Sequence, residues 1–217
     1  MSIFCPLKPR WERRKEARPQ ELLAAALHLF VERGFAATRL DDVAKAAGVS
    51  KGTLYLYFSS KEDLFKTVVE ESVIPMIGAA EEMISQFEGT TEELLKLVMY
   101  TWWESMGTTS LSGLPKLMMA EAGNFPEVAK YYQEEVIERG NRMVAGILQR
   151  GVERGEVATV DLDIMPRLLS APMVMMMMWK HSCGVCSVEP EKLPHYLEHY
   201  IDLILHGILK RPSHNLS

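Results

Sequence analysis

At 217 residues, with 47% hydrophobic and 24% charged side chains, the chain is long enough for a small domain fused to a larger one and too apolar for wholesale disorder. Its net charge of -5 conceals an asymmetry: residues 1–60 carry 10 Lys+Arg against 6 Asp+Glu (net +4), leaving 14 against 23 (net -9) for the rest, so only the N-terminal part suits a polyanion. Three cysteines make no disulfide framework, no signal-peptide core opens the chain, and the apolar stretch 171–179 falls short of the roughly 20 residues a membrane span needs; a cytoplasmic protein without a membrane role is expected.

Residues 1–17, with Pro6, Pro9 and the cluster Arg10, Arg13, Arg14 and Lys15, have little apolar periodicity and read as a basic flexible arm, either a solvated tail or a nucleic-acid contact. A first helix is predicted from near Arg18, with Pro19 at its first position, Leu22, Leu23, Ala26, Leu27 and Phe30 on one face, and Gly34 as a left-handed stop. Thr38 and Asp41 suggest a capping box for a second short helix, with Leu40, Val43, Ala44 and Ala47 inward and Gly48 at its end. Ser50 caps a third segment in which Leu54 and Phe58 share a face. Ser59 and Glu62 suggest another capping box, opening a helix through Leu64, Phe65, Val68 and Val69 toward Pro75. The small domain is placed at 18–74 and the remainder at 75–217. Helical periodicity continues over about 90–106, 113–123, 126–154, 161–183 and 190–210 with no strand alternation, so the fold class is all-α.

Residues 38–58 have the pattern of a helix-turn-helix. Two short helices crossing over a tight turn need a residue tolerant of positive φ and small or apolar facing positions, which Gly48, Ala44, Val49 and Leu54 supply. The second helix then offers its outer face to a major groove, where Lys51 and Thr53 can reach base edges and Tyr55 and Tyr57 can reach phosphates. Tyr57 beside Phe58 could equally pack partly into the core.

The run from Thr38 to Leu64, and above all Ala47-Gly48-Val49-Ser50 joined to Gly52-Thr53-Leu54-Tyr55 and the following Phe58, Lys61 and Leu64, closely resembles the N-terminal signature of the TetR/AcrR bacterial regulators. The resemblance implies an N-terminal three-helix DNA-binding domain followed by a helical ligand-binding and dimerisation domain. It implies DNA contacts at Thr38, Arg39, Ser50, Lys51, Gly52, Thr53, Tyr55, Tyr57 and Lys61, mostly to phosphates. Leu56 stands where many relatives carry an aromatic or polar residue. It further implies a homodimer built from the helices near 161–183 and 190–210, a palindromic double-stranded operator, a small-molecule effector and no cofactor.

For the effector, Trp102, Trp103, Met106, Met118, Met119, Phe125 and Met143, with Met175 and Trp179 behind them, suit an apolar or aromatic ligand, although each could instead be core. Glu104, Glu121, Asn124 and His181 are conceivable polar handles. The last helix carries a wide apolar face through Leu197, Tyr200, Ile201, Ile204 and Leu205, and the methionine run 173–178 serves core or interface equally well. Cys183 and Cys186 have the spacing of a metal or thiol sensor, but a second cysteine pair is missing and ordinary loop cysteines are the alternative; no metal is assigned. An enzyme is the rival class. No nucleophile motif or Gly-rich phosphate loop supports it.

Overall fold

The computed structural model describes residues 10–182 and 192–208 and shows helices joined by short turns, with no strand among them. The head comprises α1 (Arg10–Arg33), α2 (Leu40–Ala46), α3 (Lys51–Tyr55) and α4 (Lys61–Ser72). α1 begins well before Arg18 and carries Pro19 inside it, so Arg10, Arg13, Arg14 and Lys15 stand on its first turns rather than in an arm. The Glu, Arg, Lys and Ala residues between Glu12 and Ala17 are strong helix formers and extend the helix through the proline. Phe30, Phe35 and Phe65 form the centre of the head, with ring centroids 5.1, 6.1 and 5.9 Å apart, and Leu22, Leu54, Phe58 and Leu64 close around them.

Two of the three expected caps shift. Ser50 caps α3 as expected, accepting from the Thr53 amide. α4 is capped by Ser60, not Ser59; Asp63 rather than Glu62 reaches back, its carboxylate accepting from the Ser59 amide and hydroxyl. Thr38 caps nothing: its buried hydroxyl donates to the carbonyls of Leu29 (3.1 Å) and Gly34 (2.7 Å) at the end of α1, and Arg39 precedes α2 without a side-chain cap.

Beyond the head, α5 (Ile74–Ser85) follows α4 after a break at Val73. This helix falls in the stretch between Pro75 and residue 90 that the sequence pattern leaves unassigned; Pro75 starts it rather than ending α4, because proline is accommodated in a first turn whose N–H groups have no helical partner. α6 (Thr91–Trp102) runs into a π turn at Trp103–Gly107 and a 3-10 turn at Ser110–Gly113, then α7 (Leu114–Glu121). A side chain at Gly107 would meet the Trp103 ring at 2.5 Å, so the ring folds back over that turn only because Gly stands there. α8 (Pro126–Tyr132) passes through a second π turn (Gln133–Glu138) into α9 (Arg139–Glu153), followed by α10 (Met165–Ser182) and α11 (Leu193–Ile208).

α10 lies against α7 and α9, α11 lies against α6, and the Tyr200 hydroxyl of α11 donates to the Leu169 carbonyl of α10 at 2.6 Å. Leu197, Tyr200, Ile201 and Leu205 are thereby buried within their own subunit. Arg139 pairs with Glu81 of α5 through two bonds of 2.8 and 2.6 Å, tying the second π turn to α5. One continuous apolar cluster runs from Leu22 in α1 to Leu205 in α11.

Candidate nucleic-acid interface and ligand region

The turn between α2 and α3 is built as the sequence requires. Gly48 adopts φ +67°, and the Val49 amide returns to the Ala44 carbonyl at 2.9 Å, which lets α3 cross α2 with Leu54 fully buried beneath it. With Leu54 inward, the outer side of this five-residue helix and the turn after it present Lys51, Gly52, Tyr55, Leu56 and Tyr57 to solvent. Tyr55 is 47% exposed, Leu56 83% and Tyr57 42%, so the partly packed alternative for Tyr57 leaves much of its ring free. Arg39 and Ser50 are exposed beside them and Thr53 is half-buried, its hydroxyl 2.8 Å from that of Ser50.

Two residues assigned to DNA contact have other occupations. The Thr38 side chain faces the interior, with its hydroxyl donated to α1. The Lys61 ammonium is turned back onto the chain: it donates to the carbonyls of Phe35 (2.6 Å), Ala36 (3.2 Å) and Thr38 (3.2 Å) and lies 4.6 Å from the Phe35 ring. Three carbonyls match the three donors an ammonium has, which offsets the unfavourable position of this charge at a helix N-terminus.

The ligand candidates divide. Trp103, Met106 and Met118 are buried together in the core. Trp102, Met143 and Trp179 are half-buried. Met119 is 69% exposed and Met175 43% exposed, so neither lines an interior site: adjacent helical residues point about 100° apart, and Met118 and Met176 take the inward directions. Phe125 sets its edge against Phe35 of the head at 4.6 Å. Two surface depressions, of about 630 Å³ beside Ala24 and Gly48 and about 440 Å³ beside Asn141 and Arg167, include none of the nine candidates. Of the polar handles, Glu104 is exposed, Glu121 and Asn124 bond to each other, and His181 lies 2.8 Å from the Ser112 hydroxyl. Burial first, then Lys180 and Lys116, hold the His181 pKa below its ordinary value.

Residues 22–68 match the model of the bacterial regulatory proteins of the tetR family, and residues 88–183 match that of the tetracyclin repressor-like C-terminal domain. The chain is 30% identical over 146 residues to the fatty acid metabolism regulator protein of Bacillus subtilis, covering 66% of this chain and 73% of that protein. The chain belongs to the TetR family. It is 26% identical over 202 residues to the transcriptional repressor KstR2 of Rhodococcus jostii, covering 89% and 92% of the two chains. The fold matches that of FadR from Bacillus subtilis in complex with stearoyl-CoA with a TM-score of 0.70 at 22% identity, covering 87% and 98%. These TetR-family relatives are regulators of transcription and not enzymes.

Within this TetR-family head, sequence reasoning missed one residue. Asp41, taken only as part of a cap, holds the Lys51 ammonium at 2.9 Å, and this hydrogen bond, with the attraction of its charge, raises the Lys51 pKa. The crossing of α2 and α3 brings Asp41 in the first turn of one beside Lys51 in the first turn of the other, ten residues on in sequence. Cys183 and Cys186 lie outside the described residues. No helix among the described residues is long and apolar enough to cross a membrane.

Proposed function

We propose that the chain is a cytoplasmic homodimeric repressor that binds a palindromic operator through α3 and is released by an apolar effector lodged among α6, α7 and α10. The observation that carries the DNA-binding half is the exposed row Tyr55, Leu56 and Tyr57 beside Lys51 on a capped helix. Three large apolar or amphipathic side chains in water are costly and are explained by a groove that covers them. The dimer is supported by Ile164 in the turn before α10 and Leu168 and Met175 on α10, spaced four and seven residues apart and 54%, 55% and 43% exposed, with Leu203 of α11 at 72%.

The effector half rests on the soft interior. Met99, Met106, Met118, Met173, Met176 and Met177 are buried in the same apolar cluster as Trp103, and thioether chains repack around a guest at small cost. A long acyl chain fits that lining, in keeping with the fatty acid regulator and the stearoyl-CoA complex among the relatives. The test is to select duplexes from a random pool with the intact protein and titrate stearoyl-CoA into the complex. Release at stoichiometric ligand is expected. Failure to enrich any duplex removes the DNA reading, and a complex indifferent to the ligand removes the acyl effector. A Leu168→Glu, Leu203→Glu protein should sediment as a monomer that keeps its helical content.

A further inference from the structure

Two charged side chains, Lys61 from the head and Glu121 from the body, are spent on one short loop, residues 34–38 between α1 and α2. From the head, Lys61 donates to three carbonyls of that loop. From the body, Glu121 at the end of α7 is only 8% exposed, and its Oε1 accepts the Ala36 backbone N–H at 2.9 Å across 85 residues of sequence. The other carboxylate oxygen accepts from the Asn124 side-chain amide at 3.2 Å. Gly34 turns with φ +89°, and a Cβ there would approach the same Oε1 to 3.1 Å. Phe125 completes the contact, edge-on to Phe35 and 5.4 Å from the Lys61 ammonium.

A carboxylate taken out of water is expensive unless its lone pairs are filled, and a leucine would pack at this point with no such cost. The bond it makes holds a backbone amide three residues before Arg39, the residue that precedes α2. The covalent link between head and body is the single junction at Val73, where α4 ends and α5 begins. Besides that junction, α1 packs on α7 and on the 3-10 turn, and α4 packs on α8, where the Tyr131 hydroxyl donates to Glu70. Among the described residues, the Glu121 bond is the one from the body to a main-chain amide of the loop that leads into α2, so it bears directly on how that loop is held.

We propose that Glu121, with Phe125 and Lys61, is a positioning clasp: by gripping the 34–38 loop it sets the angle of the DNA-binding head on the body, and so the separation at which a dimer presents its two α3 helices. The inference rests on the dimeric, operator-binding reading above. Two half-sites one helical turn apart demand a fixed separation, whereas one half-site does not.

The test compares wild type with Glu121→Leu, Glu121→Gln and Phe125→Leu on two duplexes: a selected palindrome and the same duplex with one half scrambled. Glu121→Leu should lose about tenfold on the palindrome and keep its affinity for the half-site, while hydrogen exchange across residues 34–46 accelerates. Glu121→Gln, whose Oε1 can still accept the Ala36 N–H, should stay within about twofold of wild type on both. Phe125→Leu should repeat the palindrome-selective loss in weaker form, and it carries the comparison if Glu121→Leu does not fold. Equal losses on both duplexes, a fall of the Gln and Leu variants together, or unchanged exchange across 34–46 overturns the clasp. A wild-type protein that does not distinguish the two duplexes refutes the dimeric reading instead, and the exchange measurement then decides the clasp alone.

Discussion

The head and the body of this regulator are packed by different means. In the head the core is built of Phe30, Phe35, Phe65, Leu54 and Leu64, side chains with few rotamers, and both α3 and α4 are capped by serine side chains. In the body the core is rich in methionine and two π turns interrupt the helices; capping does not divide the two parts, since α2 of the head lacks a side-chain cap while Thr90 and Glu93 form a capping box on α6 of the body. Reading a base sequence requires groups held to a fraction of an ångström, which stiff aromatic and branched core residues favour. Under the proposed function, admitting an effector into the interior would require side chains that can repack and helices with slack, which thioethers and π turns supply. The two halves therefore spend the same kind of apolar burial on opposite mechanical ends.

The sharpest way to break this contrast is in the cores. Leu64→Ala in the head should cost toward the upper end of about 2–5 kcal/mol and Met177→Ala, equally buried in the body, toward the lower end, because methionine-rich surroundings can close on the cavity. Denaturant midpoints at constant slope measure both, and equal losses would erase the distinction. Next in size are the head's lysines, which the structure separates. Lys51→Ala with Tyr55→Ala should weaken duplex binding by about 1–3 kcal/mol per contact and make the salt dependence shallower. Lys61→Ala should instead cost about 1.5–3 kcal/mol of folding stability, through three unpaired carbonyls, with the salt slope unchanged.

A smaller effect is expected at Asp41. Its carboxylate neutralises Lys51, so Asp41→Asn should free one cation for a phosphate, raise affinity for any duplex a few-fold and steepen the salt slope by about one unit. Binding titrated from low to moderate salt decides it. Smallest is the acid response of the body. The hydrogen bond from Arg139 holds the Glu81 carboxyl below its ordinary pKa of 4.5. A carboxyl lowered by folding stabilises the folded state above that ordinary value and loses its contribution as pH falls through the lowered one. Glu81→Gln should therefore be less stable at neutral pH and fall less on acidification, as unfolding curves between pH 6 and 3 would show.

Much of the head was legible because its signals are local. The apolar spacing of Leu22 to Phe30, Gly48 at the turn and Ser50 before Lys51 each fix a feature within a few residues, and the exposed row at Lys51, Tyr55 and Tyr57 follows once Leu54 is placed inward. Local pattern misled where two neighbours could do the same job, as with Ser59 and Ser60 before α4, since only the path of the chain decides which one caps. In the body, the spacing of methionines marked a soft interior but not which of Met118 and Met119, or Met175 and Met176, faces it, because a stretch that is apolar all round has no periodicity to read.

The sequence by itself determined the all-helical architecture, the helix-turn-helix and the family, because these follow from short-range periodicity, turn chemistry and a contiguous motif. Only the tertiary structure decided that Lys61 donates to the carbonyls of the 34–38 loop, that Asp41 pairs with Lys51, and that Glu121 reaches Ala36. A charged side chain takes whichever partner the fold brings within about 3 Å, and that distance is set by chain segments up to 85 residues apart, whose approach no local pattern records.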